Sequence, residues 1–145
     1  MVFGIGFISA FFFMEFVAWV AHKYLMHGPL WSVHRDHHQP TGKTIQKNDW
    51  FFLIFALPAW LCIMLGTIFG SSVATGIGFG ITLYGFVYFL FHEVLIHRRL
   101  NWLDNFNNRY FDAIKAGHRA HHEKREKEDG VSFGLIFVPR KFWKK

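Results

Sequence analysis

The sequence has a single cysteine, Cys62, and few charged residues, and both shortages limit what the protein can be. One cysteine excludes a disulfide framework and a CxxC-type thiolate metal site within the chain. Charged residues make up 18% of the 145 residues, whereas hydrophobic residues make up 52%. This balance excludes a disordered or fully solvated chain. Because the apolar residues occur in uninterrupted blocks, the sequence predicts an integral membrane protein.

The stretches without charge predict three membrane-spanning helices. The 42 residues of the range 50–91 contain no Asp, Glu, Lys or Arg, which is about twice the ~20 residues that one spanning helix needs. Glycine and serine residues within 66–76 predict a break in this range. An apolar block near the start contains Glu15 and has no basic residue before it, so a cleaved secretory signal is not predicted. The predicted spans lie near 2–21, 50–69 and 72–91.

Lysine and arginine occur only between the first and second spans and after the third span. With three crossings, these two regions lie on the same side, which the positive-inside rule assigns to the cytoplasm. Topology and contact with anionic membrane lipid then account for the net charge of +6. Nucleic-acid binding is not predicted, because no nucleic-acid-binding motif accompanies the charge.

The ten histidines form two copies of one pattern, HxxxxH followed by HxxHH. The first copy, HKYLMH and HRDHH, follows the first span, and the second, HEVLIH and HRAHH, follows the third. Since both copies lie on the same predicted side of the membrane, their imidazoles can meet. The ten candidate metal ligands are His22, His27, His34, His37, His38, His92, His97, His118, His121 and His122.

The spacing of these histidines is typical of metal ligation. Within HxxHH the three residues lie within about 100° of each other around a helix, so each triplet is expected to point at one place. Residues of HxxxxH are roughly 140° apart on an ideal helix, which predicts that each pair spans a helix end or grips from two sides. Gly28 and Pro29 favour a helix end after His27.

The number and density of the histidines predict two metal ions. Ten clustered imidazoles would repel one another if protonated, and metal binding requires the neutral form. Ten donors also exceed what one four-coordinate site can use. Imidazole suits zinc, iron, copper and nickel alike, so this reasoning leaves the metal open.

The motifs resemble those of the histidine-rich membrane di-iron hydroxylases of the fatty acid hydroxylase superfamily, and among them the bacterial carotenoid hydroxylases. The resemblance extends from the first span almost to the C-terminus. It is carried, in order, by MEFVAWVAHKYLMHG, HRDHHQP, KNDWFF, FHEVLIHRR, AGHRAHH and DGVSFGLIFVP.

The resemblance implies an enzyme and supplies its cofactors and partners. The ten histidines would hold two non-haem irons that use O₂ to hydroxylate C3 of the β-ionone ring of β-carotene, giving cryptoxanthin and zeaxanthin. Electrons would come from an external donor, a ferredoxin-type reductase system that docks on the basic face. The protein would lie in a bacterial inner membrane with the metal site on the cytoplasmic side.

Three carboxylates are candidates for supporting the ligands. Glu15 lies two helical turns before His22, and a carboxylate inside a span is costly. It is expected either to orient an imidazole or to provide a proton route, or else to bond Thr82 or a tyrosine on another helix. Asp36 and Glu93 lie within or beside ligand motifs and have the same candidate role, with an ordinary solvated carboxylate as the alternative for each. EKREKED, residues 123–129, is interpreted as a solvated helix end.

The sequence therefore predicts an all-α integral membrane bundle that forms one hydroxylase domain over residues 1–145. It has three spans, a candidate fourth segment that is re-entrant or interfacial, and a cytoplasmic cap formed by histidine segments 22–47 and 92–145. Two alternatives stay open: a related oxygenase acting on a fatty acid or sterol, and a metal-binding membrane protein without catalysis. The oligomeric state is left open.

Overall fold

The protein is helical throughout its regular structure. The computed structural model describes residues 1–39, 41–43, 45–106 and 108–143, and these residues contain no β-strand. The α-helices are α1 (Val2–Val20), α2 (Trp31–His38), α3 (Phe51–Ile68), α4 (Ser72–Tyr88) and α5 (Arg109–His122). The predicted all-α fold class is confirmed.

Two of the helices continue beyond their α-helical part as π-helix. The segment Ala21–Met26 follows α1 directly, and Phe89–Ile96 follows α4. A π-turn closes between residues five apart, one more than in an α-helix, and such turns are frequent at functional sites.

Three helical stretches are long and apolar enough to cross a membrane, as predicted, and the chain is a membrane protein. The first and third extend further than the sequence indicated, because the π-helical segments prolong α1 and α4. The sequence prediction ends these two spans at residues 21 and 91, each immediately before a histidine motif. The three stretches are Val2–Met26, Lys47–Ile68 and Ser72–Ile96.

The chain divides into two compact units. The first, called the span unit, comprises Met1–Val17 and Asp49–Val87. The second, called the histidine unit, comprises Ala18–Asn48 and Tyr88–Lys145. That residues 1–145 act as one hydroxylase domain stays a prediction.

Glycines bring the helices of the span unit into close contact. A Cβ atom at Gly76 would meet the carbonyl oxygen of Phe3 on α1. On another side of α4, a Cβ atom at Gly78 would lie 2.7 Å from the carbonyl oxygen of Ala59 on α3. Helix α4 therefore packs between α1 and α3 through backbone surfaces, as small residues allow in membranes.

Helix ends in both units follow local signals. Gly70 ends α3 with a φ of 68°, a left-handed conformation that glycine adopts without steric cost. Asn108 begins α5, because its side chain accepts a hydrogen bond from the backbone N–H of Phe111 at 2.9 Å. Helix α5 then presents its buried face, including His118 and His121, to the interior of the histidine unit.

Candidate metal centre

All ten histidines belong to the histidine unit, where four elements carry them. The two π-helical segments and the residues that end them provide the HxxxxH pairs, and α2 and α5 provide the HxxHH triplets. Eight of the ten are buried, and His97 and His122 are half-buried. The structure thus brings together both copies of the motif, as the sequence predicts.

The π-helical turns explain the spacing of the HxxxxH pairs. The backbone N–H of His27 donates to the carbonyl of His22 at 3.1 Å, and that of His97 donates to His92 at 3.0 Å. Because a π-turn returns to nearly the same side after five residues, the separation of roughly 140° on an ideal α-helix does not apply to these pairs. The expected helix end is present, since His27 and His97 each terminate their segment.

Nine histidines form two groups whose donor atoms lie within 4.8 Å of one another in each group. Group A has five members and group B has four. Group A consists of His22, His27, His34, His38 and His121, and group B consists of His37, His97, His118 and His122.

Each HxxHH triplet is divided between the two groups, which corrects the expectation that a triplet points at one place. His34 and His38 belong to group A, whereas His37 belongs to group B. The second triplet has the reverse division, since His121 joins group A while the residues on either side of it in the motif join group B. On an α-helix, residues i and i+4 differ in direction by about 40°, and residues i+3 and i+4 by about 100°.

Rings of the two groups are in direct contact. The ring of His38 in group A stacks on that of His122 in group B, with the centroids 4.6 Å apart and the planes at 12°. Each copy of the sequence pattern therefore contributes most of its rings to one group and one ring, His37 or His121, to the other group. The two groups form one continuous cluster of imidazoles.

In group A, every ring nitrogen that faces away from the group meets an oxygen atom. His22 Nδ1 donates to the carbonyl of Phe133 at 3.0 Å, and His121 Nδ1 donates to that of Val131 at 2.9 Å. His27 and His38 donate in the same way, each at 3.0 Å, to the carbonyls of Lys127 and Lys124. A carbonyl oxygen only accepts hydrogen bonds, so Nδ1 carries the proton and Nε2 carries a lone pair.

These lone pairs face one another at short distances. His34 Nε2 lies 3.2 Å from Nε2 of both His22 and His38, and His27 Nε2 lies 3.2 Å from His121 Nε2. Two lone pairs do not form a hydrogen bond. Two imidazole nitrogens that are each about 2.1 Å from one metal ion are separated by roughly 3 Å. The donor set of group A therefore fits a metal ion.

Group B has the same close pairing of Nε2 atoms. His97 and His118 approach to 3.0 Å, and His37 and His122 approach to 3.1 Å. His92 is outside the group of four, but its ring centroid is 4.7 Å from that of His37. Its Nδ1 lies 2.6 Å from Oε1 of Glu93. A metal ligand bonded to a carboxylate in this way gains basicity and a fixed orientation.

Burial keeps the imidazoles in the neutral form that binds metal. It lowers the pKa of His34 and His121 to about 3, and that of His38 to about 4. In group B, burial and then the neighbouring imidazoles lower the pKa of His37 and His118 well below the usual value. At neutral pH these rings are therefore uncharged and available as ligands.

The three candidate carboxylates have different surroundings. Glu93 contacts His92, and its other oxygen lies 2.9 Å from Arg99 Nε. Its supporting role stays a prediction. Asp36 is buried and accepts hydrogen bonds from the backbone N–H groups of Lys47 and Asn48. Glu15 belongs to the span unit, where it accepts a hydrogen bond from a tyrosine, Tyr84, at 2.7 Å.

Sequence reasoning missed two sources of hydrogen-bond acceptors for the group A rings. The first is a stretch with little regular structure, residues 124–133, here called the carbonyl segment, which provides four backbone acceptors. The sequence indicates only a solvated helix end at the charged start of this segment. Its charged side chains are exposed, but its backbone supports the site. The second is Asn48, whose Oδ1 lies 2.6 Å from His34 Nδ1. The motifs KNDWFF and DGVSFGLIFVP were the available signals.

Known proteins are similar to this chain over most of its length. The β-carotene hydroxylase of Pantoea ananas is 39% identical over 126 residues, which cover 87% of this chain and 71% of that protein. The β-carotene hydroxylase of Paracoccus sp. (strain PC1) is 35% identical over 127 residues, covering 87% of this chain and 78% of that protein. A chloroplastic β-carotene 3-hydroxylase from an Oncidium hybrid cultivar is 39% identical over 85% of this chain and 41% of its own length.

No solved structure has significant similarity to the chain. The match to a protein family is extensive, because the family model described as fatty acid hydroxylase matches residues 7–142, which include all ten histidines. The two histidine groups fit the metal centre that this resemblance implied. The chain therefore belongs to the fatty acid hydroxylase family.

Proposed function

We propose that this protein hydroxylates C3 of the β-ionone ring of β-carotene, using O₂ and giving cryptoxanthin and zeaxanthin. The observation that carries the proposal is the pair of imidazole groups, A and B, in a chain that is 35% to 39% identical to bacterial β-carotene hydroxylases. The 3-position is supported by the name of the related Oncidium enzyme.

The groups would hold two non-haem irons, one in group A and one in group B. His92 would complete group B, since its ring lies beside those of His37, His97 and His118. When bound, the irons would supply the redox chemistry that activates O₂ for insertion into a C–H bond. Zinc is an equally good partner for imidazole but has no redox change to offer.

The protein's own contribution is to hold the ligands in one protonation state and orientation. The carbonyl segment fixes four group A rings with Nδ1 protonated, and Glu93 fixes His92. Burial excludes water from most of these rings and keeps them neutral. Such fixed surroundings reduce the reorganisation that a redox step would otherwise need.

Substrate and electrons would reach the centre by different routes. A C40 hydrocarbon dissolves only in the lipid, so β-carotene would enter from the bilayer. A ferredoxin-type donor would dock on the cytoplasmic side of a bacterial inner membrane, where the sequence places its sixteen basic residues. Opposite charge on the donor would speed the encounter.

The experiment is pigment analysis of a β-carotene-producing bacterium that expresses the chain. Chromatography should show cryptoxanthin and zeaxanthin, absent from cells with the empty vector. The variant His121→Ala should abolish both products. The variant Arg119→Ala is the matched control, because Arg119 is on the same helix but is exposed, and it should leave them unchanged. Retained turnover in His121→Ala would contradict the ligand assignment.

The family description favours a second candidate substrate, a fatty acid. Lipid analysis of the same cells distinguishes the two candidates. New hydroxylated fatty acids with unchanged β-carotene, in cells that contain iron-loaded protein, would replace our proposal with this one. Metal-loaded protein with neither product would instead favour metal binding without catalysis.

A further inference from the structure

His34 differs from the other histidines of group A in the type of acceptor that its Nδ1 atom meets. The other four rings donate their Nδ1 protons to backbone carbonyls, whereas His34 donates to a side chain, the Asn48 amide, at 2.6 Å. A backbone carbonyl is always an acceptor. A side-chain amide can present either its oxygen or its NH₂ group, and the NH₂ group would favour the opposite tautomer of His34.

Asp36 fixes the backbone from which the Asn48 side chain extends. One carboxylate oxygen accepts from the backbone N–H of Lys47 at 2.5 Å, and the other accepts from that of Asn48 at 3.3 Å. Asp36 is 9% exposed and lies on α2, two residues after His34. His34, Asp36 and Asn48 therefore form a closed ring of contacts between α2 and the short helix Lys47–Trp50.

We propose that Asn48 is a positioning residue for the metal of group A. Its amide oxygen holds His34 with Nδ1 protonated, so that the Nε2 lone pair faces the other ligands of the group. Asp36 holds Asn48 in place for this task. The inference rests on the part of the proposed function that assigns a metal to group A, and it is independent of the substrate.

The neutral amide also distinguishes group A from the surroundings of His92. The five oxygens that accept from the Nδ1 atoms of group A belong to backbone carbonyls or to the Asn48 amide, and all are uncharged. His92 instead meets the carboxylate of Glu93. A carboxylate increases the electron donation of the imidazole that it binds. The variant Asn48→Asp would therefore keep an acceptor for His34 and make the group A metal harder to reduce chemically.

Two substitutions separate an acceptor role from simple space filling. Asn48→Leu keeps a similar volume and removes the acceptor, whereas Asn48→Asp keeps the acceptor and adds charge. The matched control is Asn101→Leu, because Asn101 is exposed in the helix Asn101–Leu103. The full chain is purified in detergent and titrated with Co²⁺ against a competing chelator, with the visible absorption recorded. The reduction potential is then measured on the Fe²⁺-loaded protein.

We expect wild type, Asn101→Leu and Asn48→Asp to bind two metal ions per chain. Asn48→Leu should bind one of the two about 10- to 100-fold more weakly, which is the usual cost of losing an outer hydrogen-bond partner. Asn48→Asp should shift the absorption of one cobalt and lower one of the iron potentials. Loss of affinity in Asn48→Leu together with rescue in Asn48→Asp cannot result from a packing defect alone.

Three outcomes would overturn the inference. Asn48→Leu could bind both metals with wild-type affinity and absorption, or Asn48→Asp could lose affinity as Asn48→Leu does. A wild-type chain that binds no metal would overturn both this inference and the proposed function. If wild type binds two metals but cells that express it form no cryptoxanthin or zeaxanthin, the proposed function is contradicted, whereas the comparison of the Asn48 variants still decides the role of this residue.

Discussion

Tyr84 donates its hydroxyl proton to the Glu15 carboxylate at 2.7 Å, and this bond joins α4 to α1 inside the span unit. Both side chains are buried. A carboxylate inside a membrane span is energetically unfavourable unless it is hydrogen-bonded or paired, so the hydrogen bond from Tyr84 explains how Glu15 is tolerated. The sequence leaves two roles open for Glu15, support of a ligand histidine or a hydrogen bond to Thr82 or a tyrosine on another helix. The contact with Tyr84 is the bond to a tyrosine.

The first prediction concerns this bond. Tyr84→Phe should lower the free energy of unfolding by about 1–3 kcal/mol, because it removes a donor from a buried carboxylate. The measurement is an unfolding titration of the full chain in detergent micelles. Tyr24→Phe is the control, because Tyr24 is 55% exposed and the substitution removes a hydroxyl from a side chain that is not buried. Equal stability of Tyr84→Phe and Tyr24→Phe would show that the bond contributes nothing.

The second prediction concerns the close contact of α4 with α1. Gly76→Ala would place a methyl group against the Phe3 carbonyl oxygen, and relieving this overlap should cost about 1–3 kcal/mol of stability. Gly85→Ala is the control on the same helix, because its Cβ atom would have no neighbour within 4 Å. Alanine favours a helix by up to about 1 kcal/mol over glycine. Thermal unfolding should therefore show a lower midpoint for Gly76→Ala and an unchanged or higher one for Gly85→Ala.

The sequence was sufficient to predict the spans and the histidine cluster, because both depend on patterns that are visible along the chain. Uncharged blocks of fixed length determine the spans, and repeated motifs on one predicted side bring the imidazoles together. The π-turns at Ala21–Met26 and Phe89–Ile96 were not predicted. Their signal was the spacing of five between paired histidines, which an ideal α-helix cannot place on one face.

The supporting groups could not be predicted for a different reason. The carbonyl segment acts through its backbone, so its side chains give no indication that Lys124 or Lys127 holds a ligand ring. Asn48 lies fourteen residues from His34, and only the fold brings the two together. Long-range contacts of this kind need tertiary structure, whereas ligand identity requires only residue type and spacing.

The third prediction concerns metal removal and the carbonyl segment. Bound metal stabilises the arrangement of the group A rings by mass action, by about 2.7 kcal/mol at a hundredfold excess over Kd. Four of those rings hold the carbonyl segment, so treatment with a chelator should free it. Limited digestion with trypsin should then cut faster after Lys124, Arg125 and Lys127, whose side chains are exposed.

An internal reference makes this digestion quantitative. Lys141 lies outside the carbonyl segment and in another short helix, Arg140–Phe142. Cleavage after Lys141 should change less on chelation than cleavage within the segment, and added Fe²⁺ should restore the slow rate. Equal acceleration at all sites would indicate general unfolding, and no acceleration would show that metal and segment are independent.

The fourth prediction tests the division of each HxxHH triplet. By sequence, His37 would be grouped with its neighbour His38, and His121 with His122. The structure instead places His37 with His118 in group B, and His121 with His38 in group A. Alanine variants of these residues should therefore fall into two classes that cut across the motifs. Each variant removes one nitrogen donor from one group and leaves the donors of the other group intact.

Mössbauer spectra of the ⁵⁷Fe-loaded full chain distinguish the two classes. His38→Ala and His121→Ala should perturb the same iron signal, and His37→Ala and His118→Ala should perturb the other. If His37→Ala and His38→Ala perturb one signal in common, the triplets act as units and the exchange between groups is wrong. The stacking of His38 on His122 at 4.6 Å predicts a small secondary change in the second signal. The larger change should still follow the group, because a lost ligand alters an iron more than a shifted neighbouring ring does.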